Sequence, residues 1–333
     1  MGSRSNTIVV IVALVTIVAA TTATICFWLT GKSNTSNFEQ KVASSVKNLV
    51  QTKNYVQLLF VGDIMFDRGI RYYAQQNGGN DYIFDKISPA LKENDLVVAN
   101  LEGPITVDQS ISSGTRPGST NNYFFTFDPS VAKTLYKENI KMVDLGNNHI
   151  LNFGYNGLDS TKKYLTDAKV DSFGAQGKAK SITKEISGVK ITFVSYNQFL
   201  SSDSSAEQKS TIEEIKNAKK YSDIVIVFCH WGVEYATQPN QEQVSLGHQF
   251  VDGGADLVIG SHPHVVEPME VDNGKRIYYS LGNFVFDQYF NQNVRNGLGV
   301  VVKINKNTKQ LEFSEKHFYL QSGGQTIEKT AEK

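Results

Sequence analysis

The chain has 333 residues, with 33 basic and 33 acidic side chains. That length excludes a tiny stapled scaffold and allows one large domain or two small ones with a sizeable core. A formal net charge of zero, 40% hydrophobic residues and the lack of a basic block exclude a disordered chain and a dedicated nucleic-acid binder.

Residues 1–6 form a short tail carrying Arg4. From Thr7 to Leu29 the sequence TIVVIVALVTIVAATTATICFWL carries no charge. At about 1.5 Å of rise per residue, such a helix crosses a hydrocarbon core of about 30 Å, so residues 7–29 read as a single membrane anchor. A secretory signal is the alternative, but signal cores run about 7–15 apolar residues and end at a small-residue cleavage site. This run is longer and no clean site follows. Of the two cysteines, Cys26 lies in the apolar run and Cys229 far from it, so no bridge is expected. Arg4 on one side and Lys32, Lys41 and Lys47 on the other leave the orientation open. Residues 30–54 are polar and read as a spacer.

Thereafter apolar runs at 56–62, 95–100, 141–146, 223–230 and 256–260 read as buried strands. Helix-like stretches lie at 66–76, 129–138, 156–168, 208–220 and 241–252, which is the beat of an α/β domain with crossover helices. Two hairpins are expected, at 184–197 around Ser187-Gly188 and at 269–284 around Asn273-Gly274. The mixture predicts parallel pairing in the middle and antiparallel strands towards the edges. Residues 105–123 form a long polar loop and 321–333 a polar tail.

The five apolar strands each end in side chains able to hold a metal: Asp63, Glu102, Asn148 with His149, His230, and His262 with His264. Ligands in open α/β sheets bind outside the carboxyl ends of the strands, so these groups are expected to meet at one edge. Carboxylate, amide oxygen and imidazole without thiolate suit manganese, zinc or iron. Each group alone also has a plain structural reading. Asp63 suits a helix cap, Glu102 a surface turn, Asn147-Asn148 a turn satisfying backbone groups, and His230 a buried imidazole. His262-Pro263-His264 is the most specific element, because alternating positions of an extended chain project two imidazoles the same way and Pro263 stiffens them. Arg68 reads either as a carboxylate or phosphate clamp or as a helix-surface ion pair, and Glu234 as a substrate contact or base or as a solvated loop carboxylate.

At GDIMFDR (62–68), NLEGPI (100–105), NNHILNFG (147–154), HWGVEY (230–235), GADLVIGSHPHVVEPMEV (254–271) and YSLGNFVFDQ (279–288) the sequence resembles the CapA family of capsule and poly-γ-glutamate synthesis proteins, related to the calcineurin-like metallophosphoesterases. The resemblance covers residues 55–320. It implies a four-layer α/β/β/α sandwich on an N-terminal membrane helix, with the main domain extracytoplasmic. It further implies one or two divalent ions held by Asp63, Glu102 (in the bridging place), Asn148, His230, His262 and His264, with His149 as catalytic histidine. Arg68, Glu234, Glu267 and Asn283 fall within the same motifs as substrate or outer contacts. Two positions depart from the phosphoesterase and capsule patterns. Met65 stands where histidine is usual, which weakens one metal position, and Asn152 stands where aspartate is common. The implied role is capsule or poly-γ-glutamate synthesis or export, with the bilayer, polymer-synthase membrane subunits and an anionic polymer or phosphorylated substrate as partners. The alternative is a metal-dependent hydrolase outside the membrane.

Overall fold

A computed structural model of the chain describes residues 53–175, 180–200 and 204–329. The anchor expected at 7–29 and nearly all of the expected spacer lie outside the described residues. Among those described, no helix is long and apolar enough to cross a membrane. In chain order the strands are β1 (Tyr55–Ile64), β2 (Leu96–Leu101), β3 (Ile140–Asp144), β4 (Asp171–Phe173), β5 (Ser181–Ile186), β6 (Val189–Asn197), β7 (Ile224–His230), β8 (Leu257–Ser261), β9 (Met269–Asp272), β10 (Lys275–Tyr278), β11 (Asn283–Val285), β12 (Asn296–Asn305), β13 (Leu311–Leu320) and β14 (Thr326–Lys329).

Two sheets result. One runs β14-β13-β12-β1-β2-β3-β4, with β11 also paired to β1; the other runs β5-β6-β7-β8-β10-β9. Strands β1 to β4 are parallel, as are β6, β7, β8 and β10, while β12 to β14 and the edge strands β5 and β9 are antiparallel to their neighbours. Antiparallel edges on parallel centres are the arrangement the hairpins and crossover helices predict.

Side-chain alternation along the strands dictates the layers. Val56, Leu58 and Phe60 of β1 join Phe193, Ile226, Phe228 and Ile259 in one core between the sheets. Leu59 and Val61, pointing the other way, pack with Ile70, Ala74, Leu135 and Leu158 of helices Arg68–Gln76, Ser130–Lys137 and Gly154–Asp167. On the second sheet Val225, Val227 and Val258 meet Ile215, Ala218, Leu246 and Phe250 of helices Ser204–Lys219 and Gln241–Gly253. The order is therefore helix, sheet, sheet, helix. Phe60, Phe173, Phe193 and Phe228 form the aromatic centre of the inner layer, with ring centroids 6.0–6.5 Å apart. Truncating one of these to alanine is expected to cost about 3–5 kcal/mol.

Both predicted turns have two left-handed central residues, Ser187-Gly188 and Asn273-Gly274, as a two-residue hairpin requires. The second hairpin is shorter than expected. It ends at Tyr278, and the chain then crosses to place Asn283–Val285 beside β1 in the other sheet. Part of the segment read as a polar tail is strand as well: Leu320 pairs with Thr326 across a turn closed by Gln321 N–H donating to the Gln325 carbonyl at 2.8 Å. Its polar composition hides a hairpin whose Thr326 hydroxyl is buried on the Phe284 carbonyl.

Candidate metal centre

Because the strands carrying the candidate donors are parallel, their carboxyl ends lie together. Asp63 is next to last in β1, Glu102 follows β2, and Asn148 and His149 lie just beyond β3, all on the first sheet. His230 ends β7 and His262 follows β8, both on the second. The expected single edge is thus a rim shared by two sheets, which only the sandwich brings face to face. Crossing strand β11 ties them. A Cβ on Gly62 would stand 1.8 Å from the Gly282 carbonyl oxygen, so glycine there lets the chain approach closely enough for Asp63 N–H to donate to that oxygen at 3.0 Å.

The basis expected for His262-Pro263-His264 is corrected. The segment is not extended: β8 stops at Ser261, and His262 and His264 both have positive φ, 95° and 58°. Their aim comes from left-handed backbone, a conformation that costs a non-glycine residue on the order of 1–3 kcal/mol and recurs at functional sites. Their ring centroids are 6.1 Å apart, and they serve two different donor sets.

The first set is charged. Asp63, Glu102 and His264 are all buried, and each offers a ligand atom within 4.8 Å of the others. His264 Nδ1 lies 3.2 Å from Asp63 Oδ2, and its Nε2 lies 3.5 Å from Glu102 Oε1. Burial alone would push His264 down, but the Glu102 and Asp63 carboxylates outweigh it and raise it to about 9. Burial also raises Glu102 well above the ordinary carboxylate range. Glu102 Oε1 is buried without any hydrogen-bond donor. An orphaned carboxyl oxygen beside a second carboxylate and an imidazole is a donor set that a divalent cation satisfies. Met65 adds nothing to it, since its sulfur accepts from the Asp67 N–H at 2.9 Å.

The second set is neutral. His230 Nδ1 lies 3.1 Å from the Ser261 hydroxyl, which donates to the Cys229 carbonyl, and 3.3 Å from the Asn100 amide nitrogen. His230 Nε2 lies 2.9 Å from Asn148 Oδ1 and 3.2 Å from His262 Nδ1. Burial holds His230 well below its ordinary value and His262 down at about 3, with the neighbouring histidines adding to both shifts. An amide oxygen and two neutral imidazole nitrogens, converging at 2.9 and 3.2 Å, are a donor set that suits a second cation. A divalent ion in either place would supply Lewis-acid polarisation of a substrate oxygen.

His149 stands beside the charged set, its Nε2 3.8 Å from Glu102 Oε1. Its ring stacks on Phe125 at 4.4 Å, and its Nδ1 lies 3.1 Å from Asn152 Oδ1, which also accepts from Phe125 N–H. The amide at Asn152 therefore orients the ring as a carboxylate would, but without charge. Burial depresses His149 to about 4. Arg68 forms an ion pair with Asp287, donates to Asn122 Oδ1 at 3.1 Å and lies over the Phe125 ring at 4.9 Å. Asn283 Oδ1 accepts from His264 Nδ1 at 3.0 Å, fixing that ring. Glu234 is exposed and, among the described residues, makes no hydrogen bond or ion pair with a donor of either set that would mark it as a ligand. Glu267 hydrogen-bonds Gln243 at 2.9 Å, at the start of helix Gln241–Gly253 and joined to no donor of either set; burial raises it to about 7.

Sequence reasoning missed Asn100. Its buried amide nitrogen donates to Asp63 Oδ1 at 2.8 Å and Glu102 Oε2 at 3.4 Å, while its oxygen accepts from Asn147 at 3.0 Å. One side chain thus ties two carboxylates and the loop carrying Asn148. The signal was available: Asn100 and Glu102 share a face at alternate positions of the quoted NLEGPI segment.

Comparison with known proteins agrees with this geometry. The bacterial capsule synthesis protein PGA_cap family matches residues 57–288. The chain is 36% identical over 245 residues to the PGA biosynthesis protein CapA of Bacillus subtilis, covering 69% of this chain and 63% of that one. It is 30% identical over 249 residues to the capsule biosynthesis protein CapA of Bacillus anthracis, covering 69% and 60%. The chain therefore spans about three-fifths of the length of these relatives. A crystal structure of a novel phosphatase from Mycoplasma pneumoniae superposes with a TM-score of 0.50 at 16% identity, over 80% of this chain and 95% of that one, a likeness of fold. With a match over most of the described domain and strand-end donors in the motifs that carry it, this chain belongs to the bacterial capsule synthesis protein PGA_cap family, the CapA family.

Proposed function

We propose that this chain is a membrane-anchored component of capsule polymer biosynthesis of the poly-γ-glutamate type. Its domain stands outside the membrane, held by residues 7–29, and works with polymer-synthase membrane subunits on an anionic polymer. The observation that carries the reading is the rim itself: a charged and a neutral donor set, drawn from two sheets, in a chain of the capsule synthesis family. Asp63, Glu102 and His264 hold one divalent ion and Asn148, His230 and His262 a second, with manganese, zinc or iron fitting the donors.

Hydrolysis is the less favoured reading. His149, depressed to about 4, is neutral at physiological pH and so a poor proton donor to a leaving group, and Met65 withholds a ligand from the charged set. In cells lacking the native gene, polymer output should survive His149→Ala and stop when residues 7–29 are deleted. Output abolished by His149→Ala, with the protein folded and metal-loaded, would overturn the non-catalytic reading.

A further inference from the structure

Beside the rim lies a cleft of about 630 Å³ that neither donor set uses. Its volume falls in the roughly 300–1,000 Å³ range of ligand sites. One wall is the long loop at 112–115 and 117–118, whose exposed Arg116 stands outside the lining; the other walls carry Tyr72, Tyr123, Tyr235 and Phe290. All four rings are open to solvent, Tyr72 and Phe290 by more than half (56% and 63%). Tyr235 and Phe290 meet edge to face at 5.2 Å.

The cleft is continuous with the metal centre. The Tyr235 ring lies 6.2 Å from the His264 ring, and Arg68 reaches across Phe125, against which the His149 ring packs. Arg68 and Tyr235 both have left-handed backbone, φ 47° and 66°, so the two residues joining cleft and rim are held in costly conformations.

The charge pattern is the informative part. The lining has one cation and one anion, Arg68 and Asp287, and they are paired with each other. The carboxylate of Glu234, next in sequence to Tyr235, is exposed. A strand gripped through its carboxylates would need unpaired cations here, and this lining offers aromatic faces, hydroxyls and amides in their place. We propose that this cleft is the seat of the polymer strand and that it grips the uncharged backbone, leaving the carboxylates in solvent. A γ-linked glutamate chain suits it, because two methylenes and a methine separate successive amides. The carbon run lies on the rings, while the amides meet Tyr hydroxyls, Gln288 and the 112–118 loop. The assignment rests on the capsule-polymer reading above, and it adds where and how the strand is recognised.

The test uses the full chain in detergent micelles, loaded with manganese, and a γ-linked glutamate oligomer of about eight residues, with binding followed by calorimetry. The double variant Tyr123→Ala, Phe290→Ala changes exposed side chains only and should weaken binding by about tenfold or more. Affinity should change less than about threefold between about 50 and 500 mM salt, because no unpaired cation contributes. An α-linked glutamate oligomer of equal charge should bind at least about tenfold more weakly, its backbone lacking the carbon run. Wild-type affinity in the double variant, a steep loss with salt, or equal binding of the α-linked chain or of a neutral oligosaccharide would each overturn the proposal. Failure of this assignment would leave metal content and polymer output intact, whereas failure of the capsule reading would appear as output that does not depend on the anchored domain.

Discussion

The two donor sets at the rim are made of opposite materials. Asp63, Glu102 and His264 bring charge into a dry place and offset part of its cost among themselves, with the imidazole held at about 9 by its carboxylates. Asn148, His230 and His262 bring lone pairs only, and their imidazoles are driven down, His262 to about 3. The charged set must release a proton to receive a cation; the neutral set is already prepared. Buried carboxylates and converging imidazoles are thus two solutions to one problem, and they should answer differently to mutation and to pH.

The sharpest break is Glu102→Ala. This residue supplies the orphaned oxygen, so the affinity of the charged set should fall at least about tenfold, and bound divalent metal per chain, measured by plasma mass spectrometry, should drop from about two ions to about one. Unchanged metal content would remove the charged set from the account. A second measure is the pH dependence of metal affinity in a chelator competition. Below about 9 the folded His264 holds a proton that a cation must displace, so affinity at the charged set should fall by about tenfold per pH unit on acidification. The neutral set should show no such slope between about pH 6 and 8, since its histidines are already deprotonated there. Equal slopes at both sites would erase the distinction drawn here.

A third break concerns a carboxylate outside both sets. Asp144, at the end of β3, is fully buried, accepts from Gly146 N–H at 3.1 Å and has one oxygen without a partner. Burial raises it to about 7, against an ordinary value of about 3.9 in the unfolded chain. Between those values the folded state binds more protons, so stability falls as pH rises through the window and stays reduced above it. Asp144→Asn should therefore stabilise the domain at about pH 8 by up to about 4 kcal/mol and little near pH 4, read from thermal melts at the two values. Stabilisation independent of pH would mean that burial of charge is not the cost at this rim.

Much of this architecture was legible along the chain. The strand-to-helix beat placed the parallel strands, and polar residues terminating apolar runs marked the donors, because a buried strand has little reason to end in imidazole or carboxylate unless something receives it. Three things were not legible. Strand order does not reveal which strands share a sheet, so one edge was expected where two sheets meet. The aim of His262 and His264 depends on backbone left-handedness that no alternation rule anticipates. The Arg68–Asp287 pair joins residues 219 positions apart, so Arg68 could be read as a clamp or a surface ion pair but not as a cleft residue already neutralised. Asn100, by contrast, was legible as the alternate-position neighbour of Glu102, though an asparagine inside a strand reads at first as an imperfect apolar position.

The left-handed residues carry a last consequence. Arg68, Tyr235, His262 and His264 each occupy backbone that glycine would adopt freely, at about 1–2 kcal/mol less cost apiece. At Arg68, His262 and His264 glycine would also strip partners from Asp287, His230 and the Asp63 and Glu102 carboxylates, which outweighs the relief; Tyr235 is exposed and has no such debt. Tyr235→Gly should therefore separate endurance from purpose: a variant that melts no earlier than its parent yet holds its strand more weakly.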